Sequence, residues 1–309
     1  MKTIPQRYAG PTTLGVDTSR WQERDGDART VDINYAALRR AGVRFAVVRT
    51  GDGTQTTRTS VPDPVGALYA SAAADEGLLV AGYHFFRGSL DGAEQARIAL
   101  EVERVSGVRF GFHAVDTEGA PSRIVAGVAA RPATGAWRDV RQPKASDTGV
   151  TTPRVLEEIK AFVDTIEAAG RRAIVYGRVA LHWYFSQIPI EAPWLYALPI
   201  WVPSYGSVPE VPCFPNGTAA WPPWSLWQYT GTGRIAGIAG DADLNRFRGD
   251  EAELARWWDP ATRTTPAAPS PIEAAYADLL RHALGAKAVG DQDAAERLLA
   301  AAEGLGAKT

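Results

Sequence analysis

The chain has 309 residues, of which 45% are hydrophobic and 22% are charged, and its formal net charge at pH 7 is −2. This length suits one large domain with a small addition, or two ordinary domains. The near-neutral charge gives no electrostatic reason to expect a nucleic acid or an anionic surface as partner. The one cysteine, Cys213, excludes an intramolecular disulfide and a cysteine-based metal site.

Short apolar runs recur through residues 13–258, and they lead into polar residues. The runs cover residues 14–16, 45–48, 78–83, 112–115, 173–176, 199–202 and 225–228. Runs that are apolar without alternation are typical of parallel strands buried on both faces of a sheet. We therefore predict a strand at each of these positions.

Helical patterns lie between the runs, and the clearest covers residues 153–169. Thr152 is a good N-cap, Pro153 suits the first helical position, and Gly170 ends the pattern. Its apolar face consists of Leu156, Ile159, Phe162, Val163 and Ile166. The alternation of strands and helices predicts an α/β fold, an irregular (β/α) TIM-like barrel. A doubly wound open sheet is the alternative, which is disfavoured because no glycine-rich phosphate loop follows the first strand.

The composition changes at Asp259. Residues 259–271 are rich in Pro, Thr and Ala, which is typical of an extended linker. Residues 272–309 carry two apolar stripes at helical spacing and predict a small helical hairpin. We therefore expect an N-terminal extension (1–12), a main domain (13–258), this linker, and a tail that mediates targeting or self-association.

Polar residues follow several of the predicted strands. In a parallel barrel the carboxyl ends of the strands converge on one face, where active sites lie. Acids that are distant in the sequence are therefore expected to share one pocket. These polar residues are Asp17, Arg49, His84, Asp116, Glu118 and Asp243. The four histidines show no ligand spacing, so we expect structural roles for them, no metal site and no organic cofactor.

The sharpest chemical feature is Asp116-Thr117-Glu118. On a strand, residues i and i+2 point to the same side, about 6.6 Å apart at the backbone. Like charge and partial burial then raise one pKa and create a proton donor, while the other carboxylate stays ionised. Glycoside hydrolysis uses such a pair, and we assign Glu118 as the acid because its side chain is longer. A solvated loop or a metal site is the alternative reading of this motif alone.

A set of motifs in a fixed order carries a resemblance to a known family. The motifs are Gly15-Val16-Asp17-Thr18-Ser19-Arg20-Trp21-Gln22, Phe45-Ala46-Val47-Val48-Arg49, Gly82-Tyr83-His84-Phe85, Asp116-Thr117-Glu118, strands with Tyr176 and Trp201, Trp227-Gln228-Tyr229 and Asp243-Leu244-Asn245. Over roughly residues 13–257 the chain resembles glycoside hydrolase family 25, the Chalaropsis-type lysozymes of bacteria, fungi and phages.

This resemblance implies a β/α barrel that cleaves the β-1,4 bond between N-acetylmuramic acid and N-acetylglucosamine with retention. It implies that four carboxyls line the site, with Glu118 as acid/base: Asp17, Asp116, Glu118 and Asp243. It also implies four aromatic residues that contact sugar: Tyr83, Tyr176, Trp201 and Trp227. From the residues alone, a role in the core stays open for each tryptophan. Asp116 is expected to orient the N-acetyl group of the substrate as internal nucleophile, with direct attack by a carboxylate as the alternative.

The chain departs from the family pattern in two places. Arg49-Thr50-Gly51-Asp52 stands where the family often has a Lys and a Glu, and residues 119–150 look longer than usual. The longer segment follows Glu118 directly, so it is expected either to shape substrate choice or to be a surface loop.

The expected partner is bacterial cell-wall peptidoglycan. A glycan-binding module without catalysis and a chitinase-like hydrolase are the rivals, although residues 111–118 lack the Asp-x-x-Asp-x-Asp-x-Glu run of chitinases. Residues 1–11 contain no apolar run, so we expect no secretory signal. No stretch reaches the roughly 18 apolar residues of a membrane span, so we expect no membrane insertion. An enzyme that acts on cell walls without a signal needs another route out, which phage lysis proteins commonly have. With the family resemblance, this predicts a phage endolysin that stays in the host cytoplasm until it is released to the wall.

Overall fold

The computed structural model describes residues 3–22, 31–53, 60–119, 152–177, 192–212 and 221–259, together with Asp293, Ala294 and Arg297. The chain forms two compact units, Met1–Pro260 and Ala261–Thr309. The three described residues of the second unit are helical. The rest of the predicted linker and hairpin lies outside the described residues, so this part of the domain assignment stays a prediction.

The described part of the first unit contains eleven strands. They are β1 (Thr3–Pro5), β2 (Thr12–Thr18), β3 (Phe45–Gly53), β4 (Ser60–Pro62), β5 (Leu79–Phe85), β6 (His113–Asp116), β7 (Ala173–Tyr176), β8 (Ile200–Pro203), β9 (Glu210–Pro212), β10 (Leu226–Gly233) and β11 (Ala242–Arg248). The same residues contain six α-helices, none of them long and apolar enough to cross a membrane. They are α1 (Tyr35–Arg40), α2 (Gly66–Asp75), α3 (Gly92–Ser106), α4 (Thr152–Ala168), α5 (Pro193–Tyr196) and α6 (Glu251–Trp258).

Eight of the strands close into a barrel. Around the wall they follow the order β2, β11, β10, β8, β7, β6, β5 and β3, and β2 pairs back with β3. Seven of them run parallel to one another, whereas β11 is antiparallel to both of its neighbours, β10 and β2. The predicted TIM-like barrel is confirmed, and the pairing of β2 with β3 rules out the open sheet. The irregularity of the barrel is the reversed strand β11.

Aromatic packing fills the amino-terminal end of the barrel. The ring of Trp258 on α6 lies 5.5 Å from that of Phe45 and 5.0 Å from that of Phe112. Its indole N–H donates to the carbonyl oxygen of Val80 at 3.1 Å. A Cβ at Gly111 would lie 2.2 Å from Nε1 of Trp258, so only glycine leaves room for the ring there. Because α6 covers this end, the carboxyl end is the one left for a site.

The predicted helix at 153–169 is observed as α4, displaced by one residue at each end. Ile159, Phe162, Val163 and Ile166 are buried against the outside of the barrel, as the pattern predicts. Gly170 adopts a φ of 69°, the left-handed conformation with which helices commonly end. Thr152 is itself the first helical residue rather than the cap.

The N-terminal segment is attached to the barrel rather than separate from it. Strand β1 pairs with β9 in a two-stranded antiparallel sheet. The side chain of Gln6 accepts from the backbone N–H of Trp224 at 2.9 Å, and Tyr8 packs edge-on against the Trp224 ring. The described part of residues 1–12 therefore contributes to the packing of the first unit.

Candidate active site

Three of the predicted acids lie at the carboxyl end of the barrel because of strand direction. Asp17 stands at the end of β2, and Asp116 is the last residue of β6. Asp243 lies at the beginning of β11, not at a strand end as expected. Because β11 is antiparallel, its beginning coincides with the carboxyl ends of the other strands. Asp243 is accordingly the direct register partner of Asp17.

Asp17 is a buried carboxyl held by two amides. Its side chain is nearly inaccessible, and its Oδ2 accepts from Nε2 of Gln228 at 2.8 Å and from Nδ2 of Asn245 at 2.7 Å. Burial raises the pKa of Asp17 well above its usual range, and the negative charge of Asp243 raises it further. The two amide donors oppose this shift because they stabilise the ionised form. The site can therefore hold a proton at Asp17 where an ordinary aspartate is ionised.

The two amides are themselves oriented by aromatic donors. The hydroxyl groups of Tyr176 and Tyr205 donate to Oε1 of Gln228 at 2.8 and 2.7 Å. The indole N–H of Trp201 donates to Oδ1 of Asn245 at 2.9 Å. Since each amide oxygen already accepts from an aromatic donor, each amide nitrogen is turned towards Asp17. The network thus fixes the Asp17 carboxyl through five other side chains, two of them in direct contact with it.

Asp116 and Glu118 differ sharply in their surroundings. Asp116 is 2% exposed, whereas Glu118 is exposed in the 3-10 turn Thr117–Gly119. The expectation that both carboxyls lie on the strand is therefore wrong: the chain turns after Asp116. The backbone N–H of Glu118 donates to Oδ1 of Asp116 at 3.0 Å, and the hydroxyl of Thr117 donates to the carbonyl oxygen of Tyr176 at 2.8 Å, which anchors the turn on β7.

The pKa of Asp116 also departs from the sequence-based expectation. Burial raises it well above its usual range, and the negative charge of Glu118 adds to the shift, while the backbone N–H of Glu118 opposes it. The raised pKa thus falls on Asp116, whereas the motif predicts it for Glu118. The pair consists of a buried carboxyl with a raised pKa and an exposed carboxyl beside it.

Asp243 completes the group of acids. It is partly buried, and burial raises its pKa to about 6, with a smaller contribution from the charge of Asp241. Burial is the largest cause that raises the pKa of Tyr83, and the negative charges of Asp17, Asp116 and Asp243 raise it further. Tyr83 therefore lies within electrostatic reach of all three aspartates.

The structure brings three of the four predicted sugar-contacting aromatics together. The ring of Trp201 lies 4.5 Å from that of Tyr176 and 6.2 Å from that of Tyr83. Trp201 and Tyr176 are 2% and 4% exposed, so they support the carboxyl network from within the barrel. Trp227 lies apart, because Leu226 and Gln228 on either side of it face the interior and alternate residues of a strand face opposite sides. It packs against the outer core near Trp224, and its N–H donates to the carbonyl oxygen of Ser204 at 2.8 Å.

Three residues of the network were not among the predicted site residues: Gln228, Asn245 and Tyr205. The first two belong to the Trp227-Gln228-Tyr229 and Asp243-Leu244-Asn245 motifs, where strand alternation alone selects Gln228 over Trp227 as the inward residue. Tyr205 follows the carboxyl end of β8, so the strand-end rule that found the acids would also have found it.

Ion pairs surround the network on its β3 side. Nε of Arg49 lies 2.5 Å from Oδ2 of Asp63, and both side chains are buried. A nitrogen of Arg87 lies 2.6 Å from Oδ1 of Asp52. Strand β3 continues past Arg49 to Gly53, so Arg49 lies within a strand and not at its end as predicted. This cation is engaged in a structural ion pair.

Two of the four histidines are described, and both are buried and hydrogen-bonded. Nε2 of His84 lies 3.0 Å from the hydroxyl of Ser60, and burial lowers the pKa of His84 to about 3. Nε2 of His113 lies 2.6 Å from Oε2 of Glu103. His182 and His282 lie outside the described residues. Within the described part of the chain, no group of three or more His, Cys, Asp or Glu residues is arranged to hold a metal ion.

Comparison with known proteins places this geometry in a family context. The family model described as Glycosyl hydrolases family 25 matches residues 16–238. Lysozyme M1 of Streptomyces globisporus is 27% identical over 260 residues, which cover 81% of this chain and 74% of that protein.

Solved structures show the same fold. The bacterial lysozyme from Streptomyces coelicolor aligns with a TM-score of 0.58 at 24% identity, covering 83% of this chain and 100% of that one. The spore cortex lytic enzyme SleM of Clostridium perfringens aligns with a TM-score of 0.55 at 19% identity, covering 80% of this chain and 71% of that one. At these identities the likeness concerns the barrel itself.

Proposed function

This chain belongs to glycosyl hydrolases family 25, and we propose that it is an N-acetylmuramidase that cleaves the β-1,4 bond between N-acetylmuramic acid and N-acetylglucosamine with retention. The coarser assignment, a peptidoglycan-cleaving lysozyme, is supported by the family and by the similarity to Lysozyme M1. The observation that carries the finer proposal is the pairing of an exposed carboxyl, Glu118, with a buried one, Asp116, at the open end of the barrel.

Glu118 is the proposed general acid and base because an exposed carboxyl can reach a glycosidic oxygen of a bound glycan. In the first step its proton goes to that oxygen, and the bond between the oxygen and C1 of the sugar breaks. The carbonyl oxygen of the substrate's N-acetyl group attacks C1 and forms a cyclic intermediate. In the second step Glu118 takes a proton from water, and the water oxygen attacks C1. The bond between C1 and the N-acetyl oxygen breaks, which opens the cyclic intermediate and restores the N-acetyl group. Two displacements at C1 give net retention.

Asp116 is proposed to orient the N-acetyl group and to stabilise the positive charge that develops on it. Its low exposure argues against direct attack on C1, since a nucleophile needs open access to that carbon. One of its oxygens is fixed by the backbone N–H of Glu118, so the carboxyl is held in place before substrate binds. Asp17 and Asp243 are proposed to tune the proton affinity of this cluster through their charges.

Glu118→Gln tests the proposal, with Glu101→Gln as a matched control on the surface of α3. Removal of the proton donor is expected to lower the rate of wall lysis by about 10²–10⁴-fold, while sedimentation with insoluble peptidoglycan stays unchanged. Mass spectrometry of the products, with the reducing end identified, establishes which bond is cleaved, and NMR of the first-formed anomer establishes retention. Near-native lysis by Glu118→Gln contradicts the acid assignment. A wild-type protein that binds walls without lysing them instead indicates the non-catalytic glycan-binding alternative.

The endolysin role is a separate proposal that stems from the sequence resemblance. It predicts that the protein, expressed inside a susceptible bacterium, lyses the cell only when a pore-forming protein is co-expressed. Lysis without the pore contradicts retention in the cytoplasm, whereas absence of lysis with the pore contradicts the endolysin role without affecting the assignment of the chemistry.

A further inference from the structure

Two aromatic side chains are more than half exposed among the residues that the structure describes. They are Trp21, at 65%, and Tyr205, at 52%. Isolated exposed apolar residues are common on protein surfaces, but both of these follow the carboxyl end of a barrel strand, β2 and β8 respectively. They therefore lie at the same end of the barrel as the carboxyls, whereas Trp201 and Tyr176 are buried inside the barrel.

The position of Trp21 is fixed by local hydrogen bonds and by cations. In the 3-10 turn Arg20–Gln22, Oε1 of Gln22 accepts from the backbone N–H of Ser19 at 2.7 Å. The guanidinium of Arg49 lies 6.0 Å from the centre of the Trp21 ring and that of Arg20 lies 4.9 Å from it. Because Arg49 is itself held by Asp63, the exposed indole is supported by a side chain that is anchored in the protein.

Tyr205 is tied to the carboxyl group by its hydroxyl. Its O–H donates to Gln228, whose Nε2 donates in turn to Asp17. A Cβ at Gly231 would lie 3.1 Å from the hydroxyl oxygen of Tyr205 and 3.1 Å from Oδ1 of Asp243, so those two oxygens lie close together. The hydroxyl of Tyr205 is thus hydrogen-bonded to the carboxyl network, while much of the side chain is exposed.

The two rings follow strands that are separated along the wall of the barrel. Going from β2 to β8 by the shorter way crosses β11 and β10, so three strand spacings, about 14 Å along the wall, separate these two strands. Asp243 and Gln228 lie on the two strands between. Aromatics that follow strands this far apart are expected to contact different sugars of a glycan strand rather than the same one.

We propose that Trp21 and Tyr205 are two sugar-stacking platforms that hold a β-1,4-linked amino-sugar strand across the carboxyl group. This inference rests on the proposed function, since it names the contacts of the same substrate. An aromatic ring offers an apolar face to the C–H groups of a sugar, and its geometry orients that sugar. The platforms therefore favour glycans long enough to contact both rings over shorter ones.

The test is the steady-state kinetics of four variants on soluble glycan oligomers of defined length prepared from peptidoglycan. Trp21→Ala and Tyr205→Ala are each expected to raise KM on the long oligomers by about 3- to 10-fold, and to reduce the preference for long over short oligomers. Tyr205→Phe keeps the ring and loses the hydrogen bond to Gln228, so its kcat is expected to fall while its preference for long over short oligomers stays at the wild-type value. Val105→Ala is the control, because Val105 is 60% exposed on α3, away from the carboxyl end.

Three outcomes overturn the proposal. They are an unchanged KM and length preference in both alanine variants, a loss of length preference in Tyr205→Phe as large as in Tyr205→Ala, and an equal effect of Val105→Ala. If the wild type cleaves none of the oligomers, the proposed function fails. Calorimetric binding of the same oligomers to the wild type and the alanine variants then still decides whether the platforms hold a glycan.

Discussion

Asp243→Asn is expected to stabilise the protein at neutral pH although it removes a residue of the candidate site. Burial raises the pKa of Asp243 from 3.8 to about 6. A carboxyl with a higher pKa in the folded than in the unfolded state binds its proton more tightly when the protein is folded. Its contribution to stability is therefore fully present below about pH 4 and is lost as the pH rises through about 6. At pH 7 the ionised carboxylate opposes folding, and a neutral amide of the same shape removes this effect.

The size of the gain follows from the shift. One pKa unit corresponds to about 1.4 kcal/mol, so the shift sets an upper limit of about 3 kcal/mol. Solvent screens a partly exposed charge, and the new amide N–H needs a partner, which leaves a gain of about 1–2 kcal/mol. In a unit of this size 1 kcal/mol changes Tm by roughly 2–4 °C, so we expect a rise of about 2–8 °C. Loss of the Asp243 charge also lowers the pKa of Asp17, and this smaller shift further stabilises the folded protein at pH 7.

The assay is thermal unfolding of the wild type and the variant across pH 4–8. The matched control is Asp164→Asn on α4, where an exposed aspartate pairs with Lys160 on the surface. That pair is worth little, so its Tm is expected to stay close to the wild-type value at every pH. The reasoning is refuted if Asp243→Asn melts at or below the wild-type temperature at pH 7, or if its advantage does not shrink as the pH approaches 4.

Asp116→Asn is expected to abolish lysis without lowering Tm at pH 7, because the amide oxygen still accepts from the backbone of Glu118; a collapse of Tm instead identifies Asp116 as structural. Gly231→Ala is expected to lower activity by roughly tenfold through displacement of Asp243 and Tyr205 with little change in Tm, and unchanged kinetics contradicts the close packing there. A chain that ends at Pro260 is expected to cleave soluble oligomers normally but to lose wall retention or oligomeric mass in light scattering. No change in either property refutes an interaction role for residues 272–309.

The barrel and the positions of the acids were predictable because they depend on local signals. A run of apolar residues that ends in an acid identifies both a buried strand and the residue at its end. In a parallel barrel that end is shared by the strands, so Asp17 and Asp116 could be assigned to one face without knowledge of any contact. Asp243 was assigned to the correct end by a wrong premise, since the sequence does not reveal that β11 runs in the opposite direction.

The surroundings of each residue were decided only by the tertiary structure. Asp-Thr-Glu predicts two carboxyls on the same side of a strand, but the chain turns at Thr117, which leaves Asp116 buried and Glu118 exposed. The family resemblance implies that Trp227 contacts sugar. Its neighbours on the strand face the barrel interior, however, so the Trp227 side chain packs against the core outside the barrel. Sequence determines which residues are available and where an apolar run gives way to polar residues, because these are properties of neighbouring residues. Register and closure determine which way each side chain faces and which charge it meets, because they depend on pairing between strands far apart in the chain, as between Asp17 and Asp243.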